Sequence, residues 1–211
     1  MSYFWKKFKL PQHSTPNQFF FRFLTNLKFS FKKKKVLEIG FLNGDDLLEL
    51  KKRGCDIYGI EINKSAVNKI KNKQKKNILN ADISSKEIPF KKKFDLIFHN
   101  DLIYYLDDET IKKHFNDVYN KLKKNGIFIF SFIENEAVSK KTPKSFFDLI
   151  AKINKLRVTE KNNPIRILKR SDLIKLSKKF NFKLFGEKII LESFDNFSKK
   201  YKIHRYIALK K

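Results

Sequence analysis

Two glycines and an acid fall in an order that marks a nucleoside site. Val36-Leu37-Glu38-Ile39-Gly40-Phe41-Leu42-Asn43-Gly44 joins a short apolar run to a polar, helix-forming stretch. Glycine lets a backbone turn tightly and approach a ligand closely. A helix that begins after such a turn presents unpaired N–H groups and the positive end of its dipole. Tyr58-Gly59-Ile60-Glu61 follows, then Ile62. Glu61 stands about 20 residues beyond the turn, where an acid grips ribose hydroxyls. A glycine pair alone is a weak signal, whereas strand, turn, helix, strand and acid in sequence is a strong one.

Two ligands suit such a turn, a dinucleotide or S-adenosylmethionine. A dinucleotide turn follows the pattern G-x-G-x-x-G, and this chain has Gly40-x-x-x-Gly44. Glu38 lies within the strand just ahead of the glycines. A negative charge there opposes a pyrophosphate and suits the ammonium end of an amino-acid ligand, which favours the sulfonium cofactor.

The elements that must hold these residues alternate in period. Strands are expected over 36–39, 56–62, 77–81, 94–98 and 126–132, with helices over 45–53, 64–72 and 109–123 between them. Buried parallel strands separated by helices make an open, doubly wound α/β sheet covered on both faces. The tail is expected to add helices over 144–156 and 171–179, the latter capped by Ser171, an extended stretch over 164–168, and strands over 182–191 and 201–209. With no helix between them, those last strands form an antiparallel pair at the edge of a mostly parallel seven-stranded sheet. Residues 1–211 read as one domain. It carries an aromatic, basic N-terminal segment over 1–31, with a helix from about 16 to 28, and a cap over the site at 134–168, since an insertion after a strand's carboxyl end lies on the ligand side.

With those elements in register, the chain resembles the class I S-adenosylmethionine-dependent methyltransferases. Glu38 to Gly44 resembles the family's E-x-G-x-G-x-G motif, and Tyr58 to Asn63 its acidic second motif. Ala81-Asp82-Ile83 resembles the segment after strand three, and Phe94-Asp95-Leu96-Ile97-Phe98-His99-Asn100-Asp101 the fourth motif. The resemblance is good over about residues 33–133. It implies S-adenosylmethionine as cofactor, held by Glu38, Gly40, Gly44, Glu61, Ile62, Asp82, Ile83 and His99. Asp82 would meet the adenine amine and the Ile83 N–H the ring. The family's middle glycine is Leu42 here, a departure that puts the openness of the cofactor site in question.

Candidate bases for deprotonating an acceptor follow strands four and five: His99, Asp101, Tyr104, Tyr105 and Glu134, with His99 and Tyr105 ranked first. Tyr201 and His204 are second-tier substrate contacts if the last strand is antiparallel. Tyr3, Phe4, Trp5 and Phe19 are placed either to close over the site or to pack on the sheet. A single cysteine, Cys55, excludes a disulfide framework and a Cys-rich zinc site, and no metal is expected. The apolar stretch near Phe19 is broken by Arg22, so no leader or membrane anchor is expected, and a reducing cytoplasm fits.

The formal charge of +26 invites a polyanion partner. However, only six of the 48 basic residues are arginine, the usual choice for gripping phosphate. The abundance of Lys, Phe, Asn and Ile beside few Gly and Pro follows A/T-rich codons. The expected reaction is methyl transfer to an oxygen or nitrogen of a small molecule. An RNA or protein acceptor, or a non-catalytic binding protein that kept the fold, stand as alternatives. The sequence does not fix the oligomeric state.

Overall fold

The computed structural model describes residues 6–7, 9–10, 14–73, 77–84, 87–134, 168–193 and 201–211. A helix over Gln18–Asn26 (α1) leads into β1 (Lys35–Ile39), α2 (Asp45–Lys52), β2 (Asp56–Glu61), α3 (Lys64–Lys73) and β3 (Ile78–Asn80). The chain then crosses to β4 (Phe94–His99), a 3₁₀ turn at Ile103–Tyr105, α4 (Asp108–Lys121) and β5 (Leu122–Ile133), and ends with α5 (Arg170–Lys179), β6 (Lys183–Ser193) and β7 (Tyr201–Lys210).

The sheet order is β3-β2-β1-β4-β5-β7-β6. Strands β1 to β5 pair in parallel, and β7 runs antiparallel between β5 and β6. The chain winds outward from β1 to β3, then restarts on the other side of β1 with β4. That reversal is the switch point at which open α/β sheets bind ligands, at the carboxyl ends of their strands. Here Glu38 of β1 lies beside Phe98 of β4.

Alternation along the strands feeds two cores. On one face Phe20, Phe21, Phe23 and Leu24 of α1 pack with Leu47 and Leu50 of α2 and with Ala66, Val67 and Ile70 of α3. Phe20 stacks on Phe98 with ring centroids 4.3 Å apart. The other face carries Ile111, Phe115 and Val118 of α4 and Leu173 of α5. Much of the aromatic N-terminal helix is therefore sheet packing, while Phe19 is left exposed.

Several boundaries differ from expectation for local reasons. α1 begins at Gln18 because the Asn17 side chain accepts the Phe20 N–H. α4 begins at Asp108 because Asp107 accepts the Thr110 N–H at 2.7 Å. α5 begins at Arg170, one residue before the expected Ser171 cap, and Arg170 is tied to Glu187 of β6. The helix expected over 144–156 and the interior of the 134–168 cap lie outside the described residues, as do Tyr3, Phe4 and Trp5. At the margins of the cap, Glu134 and Leu168 form a parallel bridge. Among the described residues no helix is long and apolar enough to cross a membrane, and no acidic, His and Cys group is arranged to hold a metal.

His99, at the end of β4, is fully buried, and its ring lies 5.3 Å from His114 of α4 and 5.4 Å from Phe128 of β5. Both of its ring nitrogens lack a partner, as does His114 Nε2. Burial holds both imidazoles neutral. It pushes His99 well down and His114 down to about 4, with the neighbouring His114 ring and the Lys113 ammonium respectively adding to the shift. The unfolded chain takes up a proton near pH 6.5, but the folded chain at His114 does so only near pH 4. Stability is therefore full above the unfolded value and is lost as pH falls toward the folded one. Asp46, raised to about 6 by burial, works in the opposite direction, so a difference between proteins isolates the histidine. Between pH 7 and about pH 4.5, the parent should lose about 2–3 kcal/mol more unfolding free energy than His114→Leu. Urea denaturation of both proteins at the two pH values measures this, and equal losses would contradict it.

Candidate active site

At the carboxyl ends of β1 and β2 and the start of α2, Glu38, Glu61, Asp45 and Asp46 form an acidic cluster. Glu38 is 4% exposed, and its Oε2 has no hydrogen-bond partner. Burial pushes this carboxyl well above its usual range. Asp46, Glu61 and Asp45 push it further, and the Leu47 N–H at the start of α2 only partly offsets them. Glu61 is likewise buried and raised by burial, although it accepts the Asn63 N–H at 2.8 Å and the Leu42 N–H at 2.9 Å. Among the described residues, no ion pair compensates Glu38, Asp45, Asp46 or Glu61.

The glycine turn borders this cluster. Gly40 has φ +74°, and a Cβ built there would meet the Leu102 side chain at 3.6 Å. The turn from β1 therefore touches the segment following β4. Gly44 caps α2 at φ +71°, and its lack of a side chain serves packing, because a Cβ there would lie inside the Ile70 side chain. Leu42 is half-buried, also left-handed at φ +44°, and donates its N–H to Glu61. On the far side, Asn80 donates to the carbonyls of Glu61 and Ile62 at 2.8 and 2.9 Å and so fixes the turn after β2. Asp82 is half-buried, and its Oδ1 accepts the Ser84 N–H at 3.0 Å, while Ile83 packs against the α4 core.

Polar residues that the motifs did not single out complete the rim. The Asn17 N–H donates to Asp46 Oδ1 at 2.6 Å, and its side-chain amide donates to the Tyr206 hydroxyl at 2.8 Å. Asn100 donates to Asp46 Oδ2 at 2.9 Å and leaves its Oδ1 buried and unpartnered. Ser14 meets Asp45 and receives the Asn43 amide at 2.5 Å. The segment before α1 thus lies across the start of α2. The N-cap signature of Asn17 ahead of an apolar run was legible in the sequence; its bonds to Asp46 and Tyr206 were not.

The expected bases separate clearly. The His99 ring faces the core, so it is not placed to take a proton from an acceptor; only its backbone borders the sheet's carboxyl end. Tyr104 is buried in the α4 core, and Tyr105 packs against it with ring centroids 4.6 Å apart. Glu134 is buried, and its Oε2 accepts Arg205 Nε at 2.8 Å and Nη2 at 2.5 Å, while its Oε1 has no hydrogen-bond partner among the described residues. Asp101 and His204 are brought together, with Oδ1 2.6 Å from Nε2. Tyr201 opens β7.

Residues 37–130 match the family model of the methyltransferase domain. That segment is a methyltransferase domain, and the fold is that of the class I S-adenosylmethionine-dependent methyltransferases. Solved structures of this kind share its fold. A methyltransferase from Mesorhizobium loti is 12% identical with a TM-score of 0.69, the match covering 90% of this chain and 96% of that one. The N-methyltransferase NodS of Bradyrhizobium japonicum, solved with S-adenosylhomocysteine, is 16% identical at a TM-score of 0.64, covering 98% and 94%. Magnesium protoporphyrin IX methyltransferase from Synechocystis, solved with S-adenosylmethionine, is 14% identical at 0.64, covering 92% and 78%. Among curated proteins none matches the chain.

The residues present fit the family's cofactor. Two buried acceptors without partners, Glu38 Oε2 and Asn100 Oδ1, lie among four uncompensated carboxylates beside a glycine turn. That is an environment for a ligand carrying positive charge and donor groups. Leu42 sits at the family's middle glycine position. Its left-handed backbone favours glycine, whereas glycine adds entropy to the unfolded chain. Leu42→Gly should therefore shift unfolding free energy by no more than about 1 kcal/mol and S-adenosylhomocysteine affinity by less than about tenfold. Paired denaturation and calorimetric titrations measure both. A parent that does not bind beside a variant that does would mean that Leu42 closes the site.

Proposed function

We propose that this chain transfers a methyl group from S-adenosylmethionine to an oxygen or nitrogen of a small-molecule acceptor. The observation that carries the reading is the acidic cluster at the switch point, which no ion pair among the described residues compensates, with Glu38 Oε2 buried and unpartnered within it. Bound there, the cofactor supplies an already activated methyl group. Glu38 would receive the amino-acid ammonium, directly or through water. Glu61 would receive the ribose hydroxyls, and Gly40 would let the backbone come close. Gly44 and Ile62 frame the turns on either side, Asp82 and the Ile83 N–H would meet the adenine, and His99 contributes its backbone. The protein's remaining work is to hold an acceptor in line and exclude water. A small acceptor is supported by the fold neighbours, one of them described as a magnesium protoporphyrin IX methyltransferase and another as an N-methyltransferase.

S-adenosylhomocysteine should bind in the micromolar range, about −8 kcal/mol. Asp82→Ala should weaken it by about 1–3 kcal/mol through a lost charge-assisted hydrogen bond. Gly40→Val should abolish binding, because a β-branched residue resists φ +74°. Calorimetry that finds no binding at millimolar ligand would overturn the proposal.

The net charge of +26 favours a second reading, an RNA acceptor. With lysine excess set by composition, RNA should bind weakly, without sequence preference and with a steep salt dependence. Filter binding measures this; tight binding to one structured RNA at physiological salt would move RNA ahead of small molecules.

A further inference from the structure

We propose that Asp101 and His204 together form the general base of this site and that the acceptor is a hydroxyl compound. The inference rests on the methyl-transfer reading above and narrows its acceptor. Three elements converge to build the pair. Asp101 follows β4 in a left-handed conformation, φ +56°, which Asp tolerates better than most residues. Its N–H donates to Ser131 Oγ of β5 at 2.9 Å, and that hydroxyl lies 3.2 Å from Asp101 Oδ1. His204 Nε2 of β7 lies 2.6 Å from the same oxygen. Ser131 and His204 are buried, whereas the Asp101 side chain is 43% exposed. The pair is thus anchored from inside the sheet and open to solvent at the carboxylate.

Its position relates it to the acidic cluster. The preceding residue, Asn100, is bonded to Asp46 in the first turn of α2, and the next, Leu102, adjoins Gly40 of the glycine turn. Asp101 therefore stands on the rim between these two contacts. Of the other candidates after β4 and β5, His99 and Tyr104 are withdrawn into the core, Tyr105 is half-buried and packed against it, and Glu134 is paired with Arg205.

A carboxylate–imidazole pair serves a hydroxyl acceptor in particular. A neutral amine already presents its lone pair, whereas an alcohol or phenol becomes a strong nucleophile only as its proton leaves. Asp101 receives the acceptor's hydroxyl. The oxygen–carbon bond forms as the carbon–sulfur bond breaks, with its electron pair remaining on sulfur. The hydroxyl proton passes to the Asp101 carboxylate, whose Oδ1 is hydrogen-bonded to His204 Nε2, and is later released to water. The products are the methyl ether and neutral S-adenosylhomocysteine.

The test uses labelled S-adenosylmethionine with a panel of phenols, aliphatic alcohols and amines, and includes a nitrophenol already ionised at neutral pH. Label should enter the hydroxyl compounds. Asp101→Asn and His204→Gln should lower kcat on un-ionised phenols by about a hundredfold or more and largely spare the ionised nitrophenol. Both variants should bind S-adenosylhomocysteine within about twofold of the parent by calorimetry, since neither residue belongs to the acidic cluster. In the NMR titration of the His204 ring, Asp101→Asn should raise the imidazolium's acid dissociation constant about tenfold or more. Label entering amines only, or no hydroxyl compound at all, overturns the proposal, as do equal losses on ionised and un-ionised phenols. Absence of S-adenosylhomocysteine binding by the parent would instead bring down the methyl-transfer reading beneath it.

Discussion

A carboxyl group at the end of the central strand sets the terms for this structure. Glu38 belongs to β1, flanked by β2 and β4, and no cation among the described residues pairs with it. Burying a carboxylate unpaired costs several kcal/mol. Burial also raises its pKa, and Asp46, Glu61 and Asp45 raise it further rather than relieve it. Packing an apolar residue at position 38 would remove that cost. The arrangement makes physical sense when a cationic ligand supplies the missing charge.

The rim is organised around the same charge. Asp46 is raised to about 6 by burial, yet both of its oxygens are held, one by the Asn17 N–H and the other by the Asn100 amide. Asn17 also caps α1 and reaches Tyr206 of β7. One residue therefore ties the N-terminal helix to the start of α2 and to the antiparallel edge. The same edge delivers His204 to Asp101 and Arg205 to Glu134 from consecutive positions, because successive side chains of a strand face opposite sides of the sheet. One side chain goes to the cofactor face and the other holds the segment after β5. The register of β7 on β5 thus decides both contacts at once: Phe132 pairs with Arg205 and Ile133 with His204.

The sheet was legible because its strands and turns are local patterns. The runs at 36–39 and 94–98, the glycine turn and the acid after β2 can each be read within a few residues. What lay out of reach was pairing across long separations. Glu134 follows β5 on the ligand side, as expected of a base, but Arg205, 71 positions later, claims it. Asp101 and His204 meet across 103 positions. The misplacement of His99 had a readable signal. In β4, Phe94 and Ile97 belong to the α4 core whereas Leu96 and Phe98 belong to the opposite one. A residue following Phe98 therefore returns to the α4 side, although the strand's carboxyl end faces the ligand. Position along the strand gave the correct end of the sheet, and parity gave the face.

The protein's overall charge and its site have opposite signs, and distance decides which one a cationic ligand feels. The chain has 48 basic residues against 22 acidic ones, yet the cluster at its site is Glu38, Asp45, Asp46 and Glu61. At physiological ionic strength an exposed lysine is screened beyond about 8 Å. A buried carboxylate a few Å from its partner is screened far less, and it acts through a lower effective dielectric. The lysines therefore set solubility and the approach of anions, while the cluster keeps its own preference for positive charge. In the proposed reaction the two substrates would meet different parts of this charge pattern: the cofactor would be selected at contact by the buried carboxylates, and the acceptor would meet Asp101, an exposed carboxylate held in place by Ser131 and His204.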